Sequence, residues 1–339
     1  SGADNVAIGH QALMTEDGNG RNVAIGTSAL TTQNAGADAY NVAIGWNAGY
    51  GVSTSIQNVL VGGIAGASLN TGSKNVAIGM QALQSETAHG YNVAVGYQAL
   101  LSLNAGANAY NVAVGYHAGY SVTTGIRNVL VGGLTGDAMT TGVDSVAVGD
   151  NALGALTIGN NNVAIGKDAL ATSVDGDYNV AVGYESLKTY EDGDGNGFNT
   201  AIGARSQKAA TTGEFNTSLG YNSMGVGILV GNGNVAIGNN AGRATTSGAT
   251  NVFIGLDCGL LNTTGGGSIG IGYEALSTED DHGGSVAIGY QSLKNQNSGA
   301  ANFNVALGYQ AGLNVTTGTA NTIMGGFAGD ALTSGTNNV

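Results

Sequence analysis

Proline is absent from this 339-residue chain, cysteine occurs once, and charged residues make up only 9% of it. A single cysteine, Cys258, excludes an intrachain disulfide, and its place inside a repeat predicts a small buried side chain. The nine Lys and Arg residues are scattered and the net charge is −13, which argues against nucleic acid as a partner. No run of about 20 apolar residues exists, so we expect no membrane insertion.

Scarce charge combined with 42% hydrophobic residues also argues against a disordered chain. No segment sustains an apolar period of 3.6 residues, so helices are not predicted. What the sequence does contain is a repeated phrase, N/S-V-A-I/V-G, with glycine supplying 61 residues. The phrase begins at Asn5, Asn22, Asn41, Asn58, Asn75, Asn92, Asn111, Asn128, Ser145, Asn162, Asn179, Asn199, Asn216, Asn234, Asn251, Ser268, Ser285, Asn304, Asn321 and Asn338.

Most of these intervals are 17 residues, and the others are 18 to 20. The interval order repeats in blocks of about four coils, which divides a single solenoid over 1–339 into 5–74, 75–144, an irregular 145–198, 199–267 and 268–337. The third coil of each regular block carries an Ala-Gly pair, as at Ala48-Gly49. The fourth coil carries a large residue inside the phrase, namely Leu60, Leu130, Phe253 or Ile323.

The phrase predicts a short β-strand ended by glycine, and each repeat predicts two short strands joined by turns rich in Thr, Gly, Asn and Asp. Such a repeat cannot bury its own apolar face, whereas stacked repeats can. The predicted fold is therefore all-β, a parallel β-solenoid or β-roll of about 20 coils. The repeated asparagine is expected to form a ladder, and two-residue insertions such as 104–110 should bulge from one corner.

Alternation along the strand puts Val6 and Ile8 on one face and Ala7 on the other. We assign the valine and isoleucine face to the core. The alanine face is then expected to pack closely against another chain on a shared axis. The large fourth-coil residues would fill the space along that axis at regular intervals. A monomeric solenoid is the alternative.

The phrase at 145–149 and 285–289 resembles the repeat in the head domains of trimeric autotransporter adhesins. The longer form at 111–119, 179–187 and 304–312 also resembles bacteriophage tail-fibre and tailspike repeats. The resemblance implies a left-handed roll in which three chains associate as a homotrimer. A coil of 17 residues is longer than the usual adhesin coil, and no stalk, neck or membrane anchor is present, which favours the phage interpretation. The chain ends as another phrase begins, so we expect it to belong to a longer product.

This interpretation predicts a structural and receptor-binding segment of a virion tail, a rigid trimeric rod that attaches to a host-cell surface polysaccharide or other receptor. A bacterial adhesin at the cell surface is the first alternative. A glycan-cleaving tailspike and an ice-binding solenoid, which would need a regular threonine array, are the others. The four histidines share no metal-ligand spacing and no nucleophile motif is credible, so we predict that the segment is not an enzyme.

Calcium is the only candidate cofactor. Asp192, Asp194 and Asn196 match the start of a calcium loop with oxygen ligands at alternate positions. A complete loop would need glutamate where Gly203 stands, and a solvated acidic turn explains the same residues. Other acidic residues recur at turns, including Asp177 and Glu279.

Aromatic residues recur directly after the phrase glycine, where coil stacking should align them. They are Trp46, Tyr97, Tyr116, Tyr184, Tyr221, Tyr273, Tyr290 and Tyr309. A second set precedes the phrase asparagine and includes Tyr40, Tyr91, Tyr110, Tyr178, Phe198, Phe215 and Phe303. Exposed aromatic platforms beside Asn, Gln and Asp are typical of carbohydrate binding, so the first set is a candidate glycan-binding surface. Packing within the ladder, or contact between chains, explains the same pattern.

Overall fold

The predicted all-β fold is confirmed. The computed structural model describes residues 4–18, 20–191 and 196–339, and these residues form 19 three-residue strands and no helix. The described residues therefore contain no helix that is long and apolar enough to cross a membrane. The strands are β1 Val6–Ile8, β2 Val23–Ile25, β3 Val42–Ile44, β4 Val59–Val61, β5 Val76–Ile78, β6 Val93–Val95, β7 Val112–Val114, β8 Val129–Val131, β9 Val146–Val148, β10 Val163–Ile165, β11 Val180–Val182, β12 Thr200–Ile202, β13 Thr217–Leu219, β14 Val235–Ile237, β15 Val252–Ile254, β16 Ile269–Ile271, β17 Val286–Ile288, β18 Val305–Leu307 and β19 Thr322–Met324.

The chain divides into two compact units, Ser1–Lys167 and Asp168–Val339, and the division falls inside the irregular block. The first unit contains β1 to β10, and the second contains β11 to β19. Within each unit successive strands pair in parallel and in register, as in Val6↔Val23 and Val180↔Thr200. Each unit is therefore a parallel β-solenoid in which one repeat makes one coil.

Each coil contains one strand, and the predicted second strand is wrong. The residues after the phrase glycine alternate into the left-handed backbone region, as at Gln98 (φ 56°) and Leu100 (φ 49°), and this interrupts an extended conformation. The segment still bonds to its neighbours, since Gln98 N–H donates to Met80 C=O at 3.0 Å and Leu100 N–H donates to Ala118 C=O at 3.0 Å. Contact between coils thus continues around the turn without a regular strand.

The phrase glycine is required by close approach of the backbone. Gly79 has φ +138°, and a Cβ atom there would lie 2.2 Å from the carbonyl oxygen of Gly96 in the next coil. Real Cβ atoms do not approach backbone so closely, and L-residues rarely adopt that φ. The glycine therefore ends the strand and allows coils to stack.

The predicted asparagine ladder is confirmed. Asn58 is fully buried, and its side-chain oxygen accepts the backbone N–H of Asn75 at 2.9 Å. Its amide group donates to the carbonyl oxygen of Gly72 across the turn at 3.1 Å. Serine replaces asparagine at Ser145, where the hydroxyl oxygen accepts the N–H of Asn162 at 3.2 Å. A buried asparagine such as Asn58 thereby joins the next coil and closes the turn of its own coil, and Ser145 keeps the bond to the next coil.

The assignment of the two strand faces was wrong. From the second coil onward the central strand residue is buried, as at Ala24, Ala43 and Ala77, while the flanking residues are half-buried or exposed. Alanine lies in the core because the coil is narrow and the space opposite is filled by a buried leucine, such as Leu83. Valine and isoleucine therefore form an outward-facing apolar surface on each unit.

The large fourth-coil residues also lie inside the core, so the prediction that they plug an axis between chains is wrong. Leu60 is fully buried. The turn position that holds a leucine such as Leu83 in other coils holds Gly49 and Gly66 in the two coils that face Leu60. A Cβ atom at either glycine would be 2.8 Å or 2.6 Å from a methyl carbon of Leu60. The other three large residues face the same glycine pairs. These are Leu130 with Gly119 and Gly136, Phe253 with Gly242 and Gly259, and Ile323 with Gly312 and Gly329.

The predicted insertion corner is confirmed, and a buried glutamate supports it. Gly106, Ala107 and Asn108 are exposed at the tip of the insertion. Beneath it Glu86 is fully buried, and its carboxylate accepts the N–H groups of Thr87, Ala88, His89 and Ala105 at 3.0 to 3.2 Å. Four backbone N–H groups thus satisfy the acceptor oxygens of this buried side chain.

Candidate functional site

Eight aromatic residues directly follow a phrase glycine, the first being Trp46 and the last Tyr309. We call them the post-glycine column. Seven of the eight are exposed, and Tyr273 is half-buried. In the second unit Tyr273, Tyr290 and Tyr309 stack in order, with ring centroids 5.0 and 4.9 Å apart. The predicted alignment is therefore confirmed for this run.

Stacking also has a consequence for ligand binding. Both faces of Tyr290 are covered by neighbouring rings, because Tyr273 and Tyr309 lie about one strand spacing away on either side. A sugar ring packs on the face of an aromatic ring, so the interior of a continuous stack offers only ring edges. The glycan-binding prediction for Tyr290 thus has no open platform, and packing within the ladder accounts for its position.

Tyr116 lies at the end of a stack in the first unit. Its ring is 5.6 Å from that of Tyr97 and 4.0 Å from that of His117, and all three rings are nearly parallel. The rings of Tyr97 and His117 are 5.6 Å apart, which is too close for them to lie on opposite faces of Tyr116. Both cover one face, and the other face points toward Gly133 in the next coil.

Trp46, Tyr184 and Tyr221 make no ring–ring contact in the part of the chain that the structure describes. Tyr184 and Tyr221 instead contact Arg205, which lies over the Tyr184 ring at 6.0 Å and hydrogen-bonds Tyr221. Trp46 has a glycine, Gly63, at the same position of the following coil.

The second set of aromatic residues forms a pre-asparagine column, also in stacks. Tyr91 and Tyr110 have centroids 5.0 Å apart, and Lys74 extends the first pair by donating to the Tyr91 hydroxyl at 3.1 Å. Tyr178, Phe198 and Phe215 stack in the second unit. In other coils the residue before the phrase is charged and pairs with its counterpart in the next coil, as in the Arg127–Asp144 ion pair. This column stabilises contact between coils.

Sequence reasoning missed a third line, which we call the amide column: the second residue after each phrase glycine. Gln98 donates to Gln81 at 2.8 Å, and Gln310 donates to Gln291 at 2.7 Å. Polar residues recur at this position in most coils, and that regularity was the available signal. The column places amides and carboxylates directly beside the post-glycine column, as at Asn47 beside Trp46.

Glu185 is the strongest electrostatic feature in the amide column. The Nζ atoms of Lys208 and Lys188 lie 2.7 and 2.9 Å from its carboxylate, and Arg205 Nε lies 3.3 Å away. The side chain is only 8% exposed. Hydrogen bonds from Lys208 and Lys188 lower the pKa of Glu185 to about 2. The carboxylate is therefore a fixed anion that holds three cations beside Tyr184.

Of the predicted calcium ligands, Asp192 and Asp194 lie outside the described residues, and the prediction for them stays a prediction. Asn196 is described, and it pairs in a parallel bridge with Asp177 of the preceding coil. Gly197 N–H donates to Asp177 C=O at 3.1 Å. The backbone at this corner thus follows the coil stack.

One group of possible metal ligands was not predicted as such. Glu279, Asp281 and His282 place one ligand atom each within 4.8 Å of one another. Glu279 was interpreted as a turn residue, yet it is buried and accepts from Gln296 Nε2 at 3.0 Å and from His282 N–H at 3.2 Å. Burial raises the pKa of its carboxyl. Its oxygens already have protein donors, as those of Glu86 do, which assigns it a structural role at the insertion corner.

The outward strand residues form an apolar face on each unit. Of the 38 outer positions on the 19 strands, all are apolar except Thr200, Thr217 and Thr322. Ten coils at about 4.8 Å and a strand about 10 Å long give roughly 500 Å² of this face in the first unit. That is at the upper end of what monomeric soluble proteins expose, so the face is a candidate for contact with another protein surface.

In comparisons with known proteins, no family model matches this chain and no curated protein matches its sequence. The coil geometry, the apolar face and the surface columns are therefore the features from which a function is inferred.

Proposed function

We propose that the chain is a structural and receptor-binding segment of a phage tail fibre or tailspike, a stiff homotrimeric segment that attaches the virion to a host-cell glycan. The observation that carries the proposal is the apolar outer face, flanked in every coil by the positions that hold the surface columns. The face suits contact with further copies of the same chain, and the surface columns stay available to bind a ligand.

Identical chains are the occupant that best fits the apolar face. The face repeats at the strand spacing, and a second copy carries the same spacing, so its side chains can interdigitate along the full length of a unit. Its strand positions carry no charge, which suits burial. Three copies would also present three sets of columns, and linked sites raise the overall affinity for a repetitive surface without any new contact.

Turn threonines favour this structural role over ice binding. Thr123 donates its hydroxyl to Thr140 C=O at 3.1 Å, and Thr140 donates to Thr157 C=O at 3.0 Å. These hydroxyls join one coil to the next and are not a flat array directed to solvent. The apolar strand face holds only the three threonines named above.

Binding of amine-labelled chain to a panel of bacterial strains, before and after periodate oxidation of surface glycans, tests the proposal. We expect binding to some strains and its loss after oxidation. Binding to no strain would refute the attachment function, and binding that resists periodate would show that the receptor is not a glycan. Release of reducing sugar ends during incubation would favour the glycan-cleaving alternative.

A further inference from the structure

Five of the eight rings of the post-glycine column stack on another ring of the column, and Tyr290 is covered on both faces. An open binding position is therefore sought where the column is interrupted. In three blocks a third-coil aromatic residue is followed by glycine in the fourth coil. The pairs are Trp46 with Gly63, Tyr116 with Gly133, and Tyr309 with Gly326. At each pair the ring has a neighbouring coil with no side chain at the same position.

Two of these gaps are partly filled. A Cβ atom at Gly133 would lie 3.5 Å from the carboxylate of Asp150. At the third gap Phe327 packs edge-on against Tyr309, with centroids 5.2 Å apart. A Cβ atom at Gly63, in contrast, would meet only the backbone oxygen of Trp46, at 4.0 Å. The gap beside Trp46 is therefore the most open of the three.

The far side of this gap is formed by Met80, which occupies the same position of the fifth coil. Trp46 is 56% exposed and Met80 is 51% exposed, so both side chains reach into solvent on either side of Gly63. Two coils separate them, which is about 9.6 Å. A ring that packs at about 4 Å from each neighbour needs about 8 Å, so one ring fits and two do not.

The second unit shows such a ring in place. Tyr290 occupies the position equivalent to Gly63, between Tyr273 and Tyr309, with centroids 5.0 and 4.9 Å from the two flanking rings. A two-coil gap in this fold thus accepts one flat six-membered ring. At Gly63 the protein leaves that ring to be supplied from outside.

The surroundings select the chemistry of the ligand. Asn47 lies beside Trp46, and Gln81 lies beside Met80, so neutral amide groups border the gap. Within the described residues the Asn47 side chain makes no hydrogen bond to protein. No cation occupies these positions, and the chain as a whole carries a charge of −13. The gap therefore suits an uncharged ring with an apolar face and a polar rim.

We infer that Trp46, Gly63 and Met80 form a binding subsite for one pyranose ring of a neutral polysaccharide. The apolar C–H face of the sugar packs on the indole, and its hydroxyls meet Asn47 and Gln81. The inference rests on the proposed attachment to a glycan and names the position and the class of sugar. The acidic residues that outnumber Lys and Arg by 22 to 9 disfavour an anionic glycan.

Trp46 is the only tryptophan in the chain, so its fluorescence reports this subsite alone. Each probe is added to the chain up to a millimolar probe concentration. The neutral probes are maltohexaose, mannohexaose and chitohexaose. Hexagalacturonate is the acidic probe, and N-acetyltyrosinamide is the peptide-like probe. We expect a saturable blue shift and protection from acrylamide quenching with at least one neutral hexasaccharide. A response to the acidic or peptide-like probe alone, or to no probe, would overturn the inference.

Gly63→Tyr is the decisive variant, because it fills the gap as Tyr290 does and leaves Trp46 intact. Gly63 does not have a positive φ, so the new side chain meets neither strain nor a close atom. Loss of the stack should weaken sugar binding roughly tenfold or more, with no loss of thermal stability. Gly18→Tyr, at an open position on another coil, is the matched control and should bind as the parent does. Unchanged binding by Gly63→Tyr would refute the subsite.

Two further outcomes separate this inference from the proposed function. If Gly63→Tyr binds bacterial cells as well as the parent chain does, the subsite is wrong while attachment stands. If no strain is bound but a neutral hexasaccharide still shifts the Trp46 emission, attachment fails and the subsite stands. Emission that resists acrylamide without any sugar would show that another chain covers Trp46, and would contradict the subsite.

Discussion

Leu60 fills the space that Gly49 leaves in the coil before it. A Cβ atom at Gly49 would lie 2.8 Å from Leu60 Cδ1, and the equivalent positions Leu30 and Leu83 carry leucine opposite alanine strands. The turn position and the central strand position therefore keep a similar total side-chain volume. Where the strand carries leucine the turn carries glycine, and where the strand carries alanine the turn carries leucine. Interiors packed to this density tolerate exchanges that keep the total volume.

A double-mutant cycle tests this relationship. Leu60→Ala should lower the free energy of unfolding by about 2–5 kcal/mol because it leaves a cavity. Gly49→Leu alone should destabilise by overlap with Leu60. The double variant should recover part of the loss, since Leu30 and Leu83 adopt positive φ values (48° and 51°) close to the 60° of Gly49. Recovery is incomplete because a Cβ atom at residue 49 also lies 2.9 Å from Leu30 Cδ2, and Leu60 also fills the space beside Gly66. Urea unfolding measures all four proteins, and additive losses would contradict the account.

The asparagine ladder predicts a graded series at one position. Asn58→Ala should cost about 1–3 kcal/mol, because the buried N–H of Asn75 and the carbonyl of Gly72 both lose a partner. Asn58→Ser should cost less, since Ser145 performs the same bond to the next coil. Thermal unfolding of the two variants gives the order. Equal losses would show that the hydroxyl does not substitute for the amide.

Acid should weaken the second unit through Glu185. Its pKa falls from 4.5 in the unfolded chain to about 2 in the folded one, so its charge stabilises the fold above pH 4.5. That contribution is lost as the pH falls from 4.5 toward 2. Glu185→Gln should therefore lower the urea midpoint at neutral pH and flatten its decline across this range. Asp330→Asn, an exposed change, is the control and should keep the parent profile.

The sequence predicted the coil, the ladder and the alignment of the aromatic columns because each depends on spacing. It did not predict which strand face is buried, since alternation separates two faces without saying which one points inward. The width of the coil decides that, and it depends on the turn leucines such as Leu83 lying opposite the strand. The joint change of Gly49 and Leu60 was visible in the sequence and could have shown that both face one interior.

The candidate site was predicted only in part for a similar reason. Register placed Tyr290 and Trp46 on one line, but the openness of each ring depends on the residues in the coils on either side. Gly63 carries no side chain and therefore gives no motif to detect. The burial of Glu279 was also missed, because two of its donors, Gln296 and Asn302, come from the following coil, the second of them from its insertion.

The central claim is that the apolar strand face joins copies of this chain, and solution mass tests it most directly. Sedimentation equilibrium should give three times the protomer mass of 33.3 kDa. Ile44→Lys with Ile78→Lys, on the exposed side of two strands, should reduce this to 33.3 kDa with an unchanged β circular dichroism spectrum. Thr124→Lys, on an exposed turn, should leave the trimer intact. A parent chain that sediments at 33.3 kDa, or a doubly substituted chain that stays trimeric, would contradict the account.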